Sequence, residues 1–245
     1  MKNEKSKFLV PQCLSALAPF KKSAFTLAEV LITLAIIGVV AAMTIPTLIA
    51  NYNKKVIETR LLKSYSVVNQ AIKLSSVYNG ETQTWDKDIS AQPSQWTYDE
   101  LEAWFNKYLG PYLKHSKVEK HVLNYTNQEG GDVSDERMLV YLFDGSILSL
   151  QTINTYDAGL FVSNNIENPV TGKDEFAFRF SSNNGANLFF EPYSPSPSYF
   201  DGFDGSIESA KNAQRYGCYQ ETRMLCTKLI QLNGWKIPED YPYIH

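Results

Sequence analysis

From Val30 to Ala50 the chain runs for 21 residues without a charge, and the only polar side chains in this stretch are three threonines. As a helix, at about 1.5 Å per residue, it measures roughly 30 Å, the hydrocarbon thickness of a bilayer. The pattern then changes. In NKKVIETRLLKSYSVVNQAIKLSSVYNG, the residues Ile57, Leu61, Tyr65, Val68 and Ile72 recur every three or four positions. That spacing is one face of an amphipathic helix, and Asn79-Gly80 is a helix stop. Together the two stretches predict a single helix from about Thr26 to Tyr78, about 80 Å long if unbroken. Its back half packs under a globular head.

In the head, TYDELEAWFNKYLG carries a capping box from Thr97 to Glu100 and an apolar stripe of Leu101, Trp104, Phe105, Tyr108 and Leu109. It predicts a short helix ended by Gly110-Pro111. RMLVYLFDGSILSL reads as a hairpin: two apolar runs flank Asp144-Gly145, the pair favoured in a type I′ turn. GLFV and EFAFRF read as further strands, the second with Phe176, Phe178 and Phe180 on one face. EPYSPSPSYFDGFDGS is a loop by its proline, serine and glycine content. SIESAKNAQRYG and ETRMLCTKLIQLNG predict two short helices, and WKIPEDYPYIH an irregular tail. The expected fold class is α+β: a long amino-terminal helix, then a head with a small antiparallel sheet and short helices.

Charge divides the chain at the same place as hydropathy. Residues Met1 to Ala24 hold five lysines and one glutamate, leaving 18 basic against 25 acidic residues in the remainder, a net of −7. An acidic body argues against nucleic acid as a partner, because its binders need a cationic face. A basic leader suits a segment that stays cytoplasmic while the body is exported, and Lys2, Lys5 and Lys7 tip the flanking charge that way. A cleavable secretory signal would use the small residues Val39 to Ala42, yet the apolar run continues past them through Ile45 and Leu48. A buried helix of a soluble protein is the other reading, and the length of the run speaks against it.

KKSAFTLAEVLITLAIIGVVAAMTIP resembles the amino terminus of type IV prepilins and type II secretion pseudopilins. The match comprises the basic leader, a small residue, then Phe25, Thr26, Leu27, Glu29, an apolar helix, Gly38 within it and Pro46 near its end. The resemblance implies that a prepilin peptidase cuts between Ala24 and Phe25, and that the new Phe25 amine is N-methylated. Ala24 stands where glycine is commonest, one methyl larger.

Glu29 has two readings. TLAE fits the capping box T-x-x-E, with Thr26 as N-cap. Alternatively, cleavage creates a cationic amine at Phe25, four residues and about 6 Å along the axis away. Glu29 could neutralise that amine or, as the resemblance implies, the amine of a neighbouring filament subunit, setting its register. A carboxylate has two oxygens, so both roles can coexist. Pro46 removes a hydrogen bond to the carbonyl of Ala42 and marks a bend or local extension, and Gly38 permits close packing of a neighbour.

No catalytic constellation is present. His115, His121 and His245 have no metal-ligand spacing with the cysteines, and TGKD is not a phosphate-binding loop. The acidic residues of NPVTGKDEF and FDGFDG leave calcium as the single cofactor to consider, since loops of some major pseudopilins hold it. The EF-hand pattern fails here, and solvated turns account for the charges. Cys218 and Cys226 as helix neighbours would stand about 12 Å apart, so a disulfide needs a bend at or after Gly217. Two buried free thiols are the alternative. An oxidising compartment favours the bridge, and a disulfide-bounded carboxy-terminal segment recurs among pilins.

The expected organisation is a removed leader over 1–24, a long helix over 25–80 crossing the membrane at about 30–50, and an extracytoplasmic head over 81–245. The resemblance implies a non-enzymatic structural subunit of a pilus or pseudopilus. It would be held first in the bacterial inner membrane by a single pass, amino terminus cytoplasmic, and then assembled. Its partners would be the peptidase, other pilin or pseudopilin subunits, the inner-membrane assembly machinery and the bilayer. A head of over 160 residues leans towards a minor subunit. The rival expectation is a membrane-anchored binding or sensory domain whose leader is never removed.

Overall fold

A computed structural model describes residues 25–91, 95–126, 132–182, 187–195 and 202–244, with the backbone alone at 124–126 and 132–133. The chain forms two compact units that divide between Pro46 and Thr47. A single helix, α1 (Leu27–Asn79), runs without interruption through Pro46. In the first unit its side chains stay outside: Leu31, Ile36, Val40 and Met43 are all exposed.

In the second unit α1 buries Leu61, Ser64, Val68, Ala71, Ile72 and Ser75. Three of these match the expected face, while Ile57 and Tyr65 pack partly buried at its margins. Gly80 ends the helix at φ +80°, the left-handed conformation a helix C′ position favours. α2 (Tyr98–Trp104) opens with both halves of the capping box, Thr97 accepting from the Glu100 amide and Glu100 accepting from the Thr97 amide. A π-helical turn over Phe105–Leu109 extends it and buries Phe105, Tyr108 and Leu109.

The sheet has six antiparallel strands in sequence order: β1 (His115–Thr126), β2 (Asp132–Leu142), β3 (Ile147–Gln151), β4 (Asp157–Phe161), β5 (Glu175–Ser182) and β6 (Leu188–Pro192). Strict alternation sends Met138, Val140, Leu148, Leu150, Leu160, Phe176, Phe178, Phe180 and Phe190 to one face, where they form one core with α1 and α2. Phe178 stacks on Phe190 at 4.6 Å, and Trp104 meets the edge of Phe180 at 6.1 Å. A fully buried side chain of this kind contributes about 1.5–3 kcal/mol.

Three features differ from the sequence expectation. The β2–β3 turn is not type I′, which needs positive φ at both central residues. Only Gly145 is left-handed, at φ +81°. The amide of Gly145 donates to Leu142 O at 3.1 Å, and the amide of Leu142 donates to Ser146 O at 2.9 Å. This is a three-residue loop closed by a left-handed glycine, and Asp144 rigidifies it by accepting from the Ser146 amide at 3.0 Å. Second, β1 and β6 were not foreseen. The outward edge of β6 is covered by two side chains: Asn69 of α1 accepts from the Phe190 amide at 3.0 Å and donates to its carbonyl at 2.7 Å, and the Thr82 hydroxyl accepts from the Leu188 amide at 2.9 Å. Third, β5 is covered on both faces, because Ala177 and Arg179, opposite the phenylalanines, are buried too.

α3 (Ile207–Asn212) starts at Ser206, whose hydroxyl accepts from the Ser209 amide, and α4 (Cys226–Leu232) follows an irregular segment. The tail after α4 is irregular but tied down: Lys236 Nζ and the Ile237 amide both donate to Glu58 of α1 at 3.0 Å.

Candidate functional site

At the start of α1, the Thr26 amide donates to Glu29 Oε2 at 2.8 Å, its hydroxyl donates to the same oxygen at 2.9 Å, and the Glu29 amide donates back to Thr26 Oγ1 at 3.2 Å. The capping box is complete, and both bonds to the carboxylate fall on one oxygen. Oε1 accepts no hydrogen bond among the described residues, so the cap leaves an oxygen for a cation. Phe25 just ahead is 85% exposed. Ala24, the expected residue before the cut, lies outside the described residues, as do the rest of the leader and His245.

Beyond Glu29 the apolar side chains of the first unit stay uncovered among the described residues. Leu34, Ile37, Val39 and Ile45 are all more than half exposed. α1 is the helix, among the described residues, that is long and apolar enough to cross a membrane. An added Cβ at Gly38 would meet nothing within 4 Å, so nothing among the described residues calls for glycine there. A contiguous apolar surface of this extent marks contact with lipid or protein.

Cys218 and Cys226 are joined, with Cα atoms 4.4 Å apart. The chain bends at Gly217, where any Cβ would lie 2.6 Å from the carbonyl oxygens of Lys211 and Ala213. The bridge seats the tail: Tyr243 donates to Cys218 O at 2.9 Å, and Tyr241 donates to Gly172 O at 2.5 Å. The acidic loops are turned towards donors. Asp174 accepts from Ser163 Oγ, Asn165 Nδ2 and the Val170 amide, at 2.9, 3.2 and 3.1 Å. Asp204 accepts from Ser209 Oγ and the Ser206 amide, and these bonds hold its carboxyl down at about 2. Among the described residues no group of three His, Cys, Asp or Glu side chains could hold a metal.

Sequence reasoning missed a polar patch on the sheet face away from α1. Arg137 donates to Asp135 at 2.7 Å and to Glu175 at 3.2 Å. Glu175 rests on bare backbone, since a Cβ at Gly159 would stand 2.1 Å from its Oε1. Burial pushes the Glu175 carboxyl above its usual range, while Arg137 pulls it back. In register beside it, Asp157 faces Arg179 across β4 and β5. Burial raises the Asp157 carboxyl to about 7 against the Arg179 attraction, and its Oδ1 has no hydrogen-bond partner. Charges at alternate positions of two otherwise apolar strands were the available signal.

A prokaryotic N-terminal methylation motif matches residues 19–45, the prepilin-type cleavage and methylation signature. A family of unknown function (DUF6613) matches residues 47–244. The junction of the two matches coincides with the structural division at Pro46. No curated protein and no solved structure matches the chain. Motif and apolar helix together fit a pilin-like or pseudopilin-like subunit and point to membrane anchoring.

Proposed function

The chain belongs to the family of unknown function (DUF6613) and carries a prepilin-type motif ahead of it, and from that premise we propose that it is a structural subunit, of the minor kind, of a type IV pilus or type II secretion pseudopilus. A prepilin peptidase removes residues 1–24 by cutting between Ala24 and Phe25, and the Phe25 amine is N-methylated. The protein then resides in the bacterial inner membrane by a single pass, amino terminus cytoplasmic and head extracytoplasmic. The assembly machinery adds it to other pilin or pseudopilin subunits. Residues 25–80 serve as the stalk and 81–245 as the head, with Gly38 and Pro46 allowing close packing and bending in the filament. Cys218 and Cys226 brace the head, and its role is associative, not catalytic.

One observation carries the reading: the apolar side chains from Phe25 to Ile49 are exposed in the isolated chain, behind a methylation motif. Each exposed Leu, Ile or Phe forgoes about 1.5–3 kcal/mol of burial, which a bilayer or a ring of like helices recovers. Glu29 Oε1 then meets the amine of the neighbouring subunit in a medium where an unpaired charge is costly.

Glu29→Gln tests this without disturbing the cap, because glutamine also serves in a capping box. The variant is expected to insert and be cleaved normally yet to be lost from sheared filaments or from cross-linked pseudopilin complexes. Normal incorporation refutes the pairing.

A further inference from the structure

A cavity of about 450 Å³ opens in the second unit between α1, the ends of loop 162–174 and the tail. Asn53, Val56 and Arg60 of α1 line one wall, Lys173 and Val162 another, and Ile244 of the tail also borders it. Asn53 lies three residues beyond Ala50, where the uncharged run ends, and Arg60 lies ten beyond. At 1.5 Å per residue, that wall spans about 5 to 15 Å past the end of the apolar run. The headgroup layer is roughly 5–7 Å deep on each side of the hydrocarbon. Arg60 stands at the far end of that wall, its Nη1 on the Val162 carbonyl and its Nη2 beside the backbone of Gly145.

The lining is cationic. Arg60 donates to the carbonyl of Val162, a neutral acceptor, and neither Arg60 nor Lys173 has a carboxylate partner among the described residues. Asp174 also borders the cavity, but both its oxygens are taken by donors of its own loop. Val56, Ile57, Val162 and Ile244 give the wall an apolar part, and one turn nearer the membrane Ile49 and Tyr52 are exposed.

We propose that this cavity seats the headgroup phosphate of an anionic phospholipid, with the glycerol against Val56 and Val162 and the acyl chains running down past Ile49. Two cations recognise the phosphodiester. The apolar wall and the exposed turn below it favour a lipid over a free phosphate or a soluble partner. The assignment rests on α1 crossing a membrane.

The test uses the full chain in nanodiscs of phosphatidylcholine with a minor fraction of phosphatidylglycerol, and native mass spectrometry counts the lipids retained on release. The wild type is expected to keep one phosphatidylglycerol in preference to phosphatidylcholine. Lys173→Ala lowers that retention about fivefold, the share of one surface cation, with the thermal melt unchanged, and Lys173→Arg restores it. Added inorganic phosphate leaves it unaltered. Equal retention of the two lipids, an unaffected Lys173→Ala, displacement by inorganic phosphate, or a co-released protein in place of lipid would each overturn the assignment. A wild-type chain that stays out of the discs would refute the membrane reading itself, a separate failure.

Discussion

Asp157→Asn isolates the cost of the charge buried on the outer sheet face. In the folded chain the carboxyl titrates at about 7, against 3.8 for an ordinary aspartate. Burial is the main cause, and Arg179 offsets part of it. Because the folded value is the higher one, the native state holds its proton longer than the unfolded chain does. The stability tied to that proton is complete below about pH 4 and is lost as pH rises through about 7. At about 1.4 kcal/mol for each pH unit between the two values, the loss reaches about 4 kcal/mol by pH 8. Asparagine keeps the shape and never ionises. The assay is thermal unfolding of the full chain in mild detergent, followed by fluorescence of the buried Trp85 and Trp104, from pH 4 to pH 8. The two proteins should melt together near pH 4. The variant should melt about 8–16 °C higher at pH 8, since one kcal/mol is worth about 2–4 °C in a domain of this size. Parallel pH slopes, or a variant less stable at pH 8, would refute the reasoning. The latter result would mean that the ionised Asp157–Arg179 pair stabilises on balance.

Two further changes probe the head. Gly159→Ala places a methyl 2.1 Å from Glu175 Oε1, displaces the carboxylate from Arg137, and should cost roughly 3 kcal/mol, the lower end for breaking a buried ion pair; an unchanged melt would show that Glu175 has room elsewhere. Replacing both Cys218 and Cys226 by alanine opens a loop with a sequence separation of 8. The chain-entropy relation sets the loss at about 2.5 kcal/mol, read as a melt lowered by about 5–10 °C, and equal melts of the wild type with and without reductant would contradict it.

The long helix was legible because its front half is a continuous apolar run and its back half has a regular apolar period, and the one competing signal, Pro46, does not interrupt it. The capping box at Thr97 and the alternation in EFAFRF were equally local and equally readable. β1 was not, because HSKVEKHVLNYT is an edge strand whose side chains over 115–123 are exposed or half-buried, so no apolar alternation marks it. β6 escaped for a different reason. Its edge is satisfied by Asn69 and Thr82, 121 and 106 positions earlier, pairings that no local pattern encodes. The turn at Asp144-Gly145 shows the limit of dipeptide rules: the same pair serves two turn geometries, and anchoring of Asp144 to Lys63 of α1 at 3.2 Å accompanies the one seen. At the candidate site, Glu29 and its cap were visible in four letters, TLAE, whereas the Arg60–Lys173 cavity joins residues more than a hundred positions apart.

The account's central claim is that the chain is cut ahead of its apolar helix, and the intact mass of the protein recovered from cells with an active prepilin peptidase tests it most directly. The mass should be that of a chain starting at N-methylated Phe25. A chain that keeps Met1 and its lysine-rich leader, or one that starts near Met43, would contradict it.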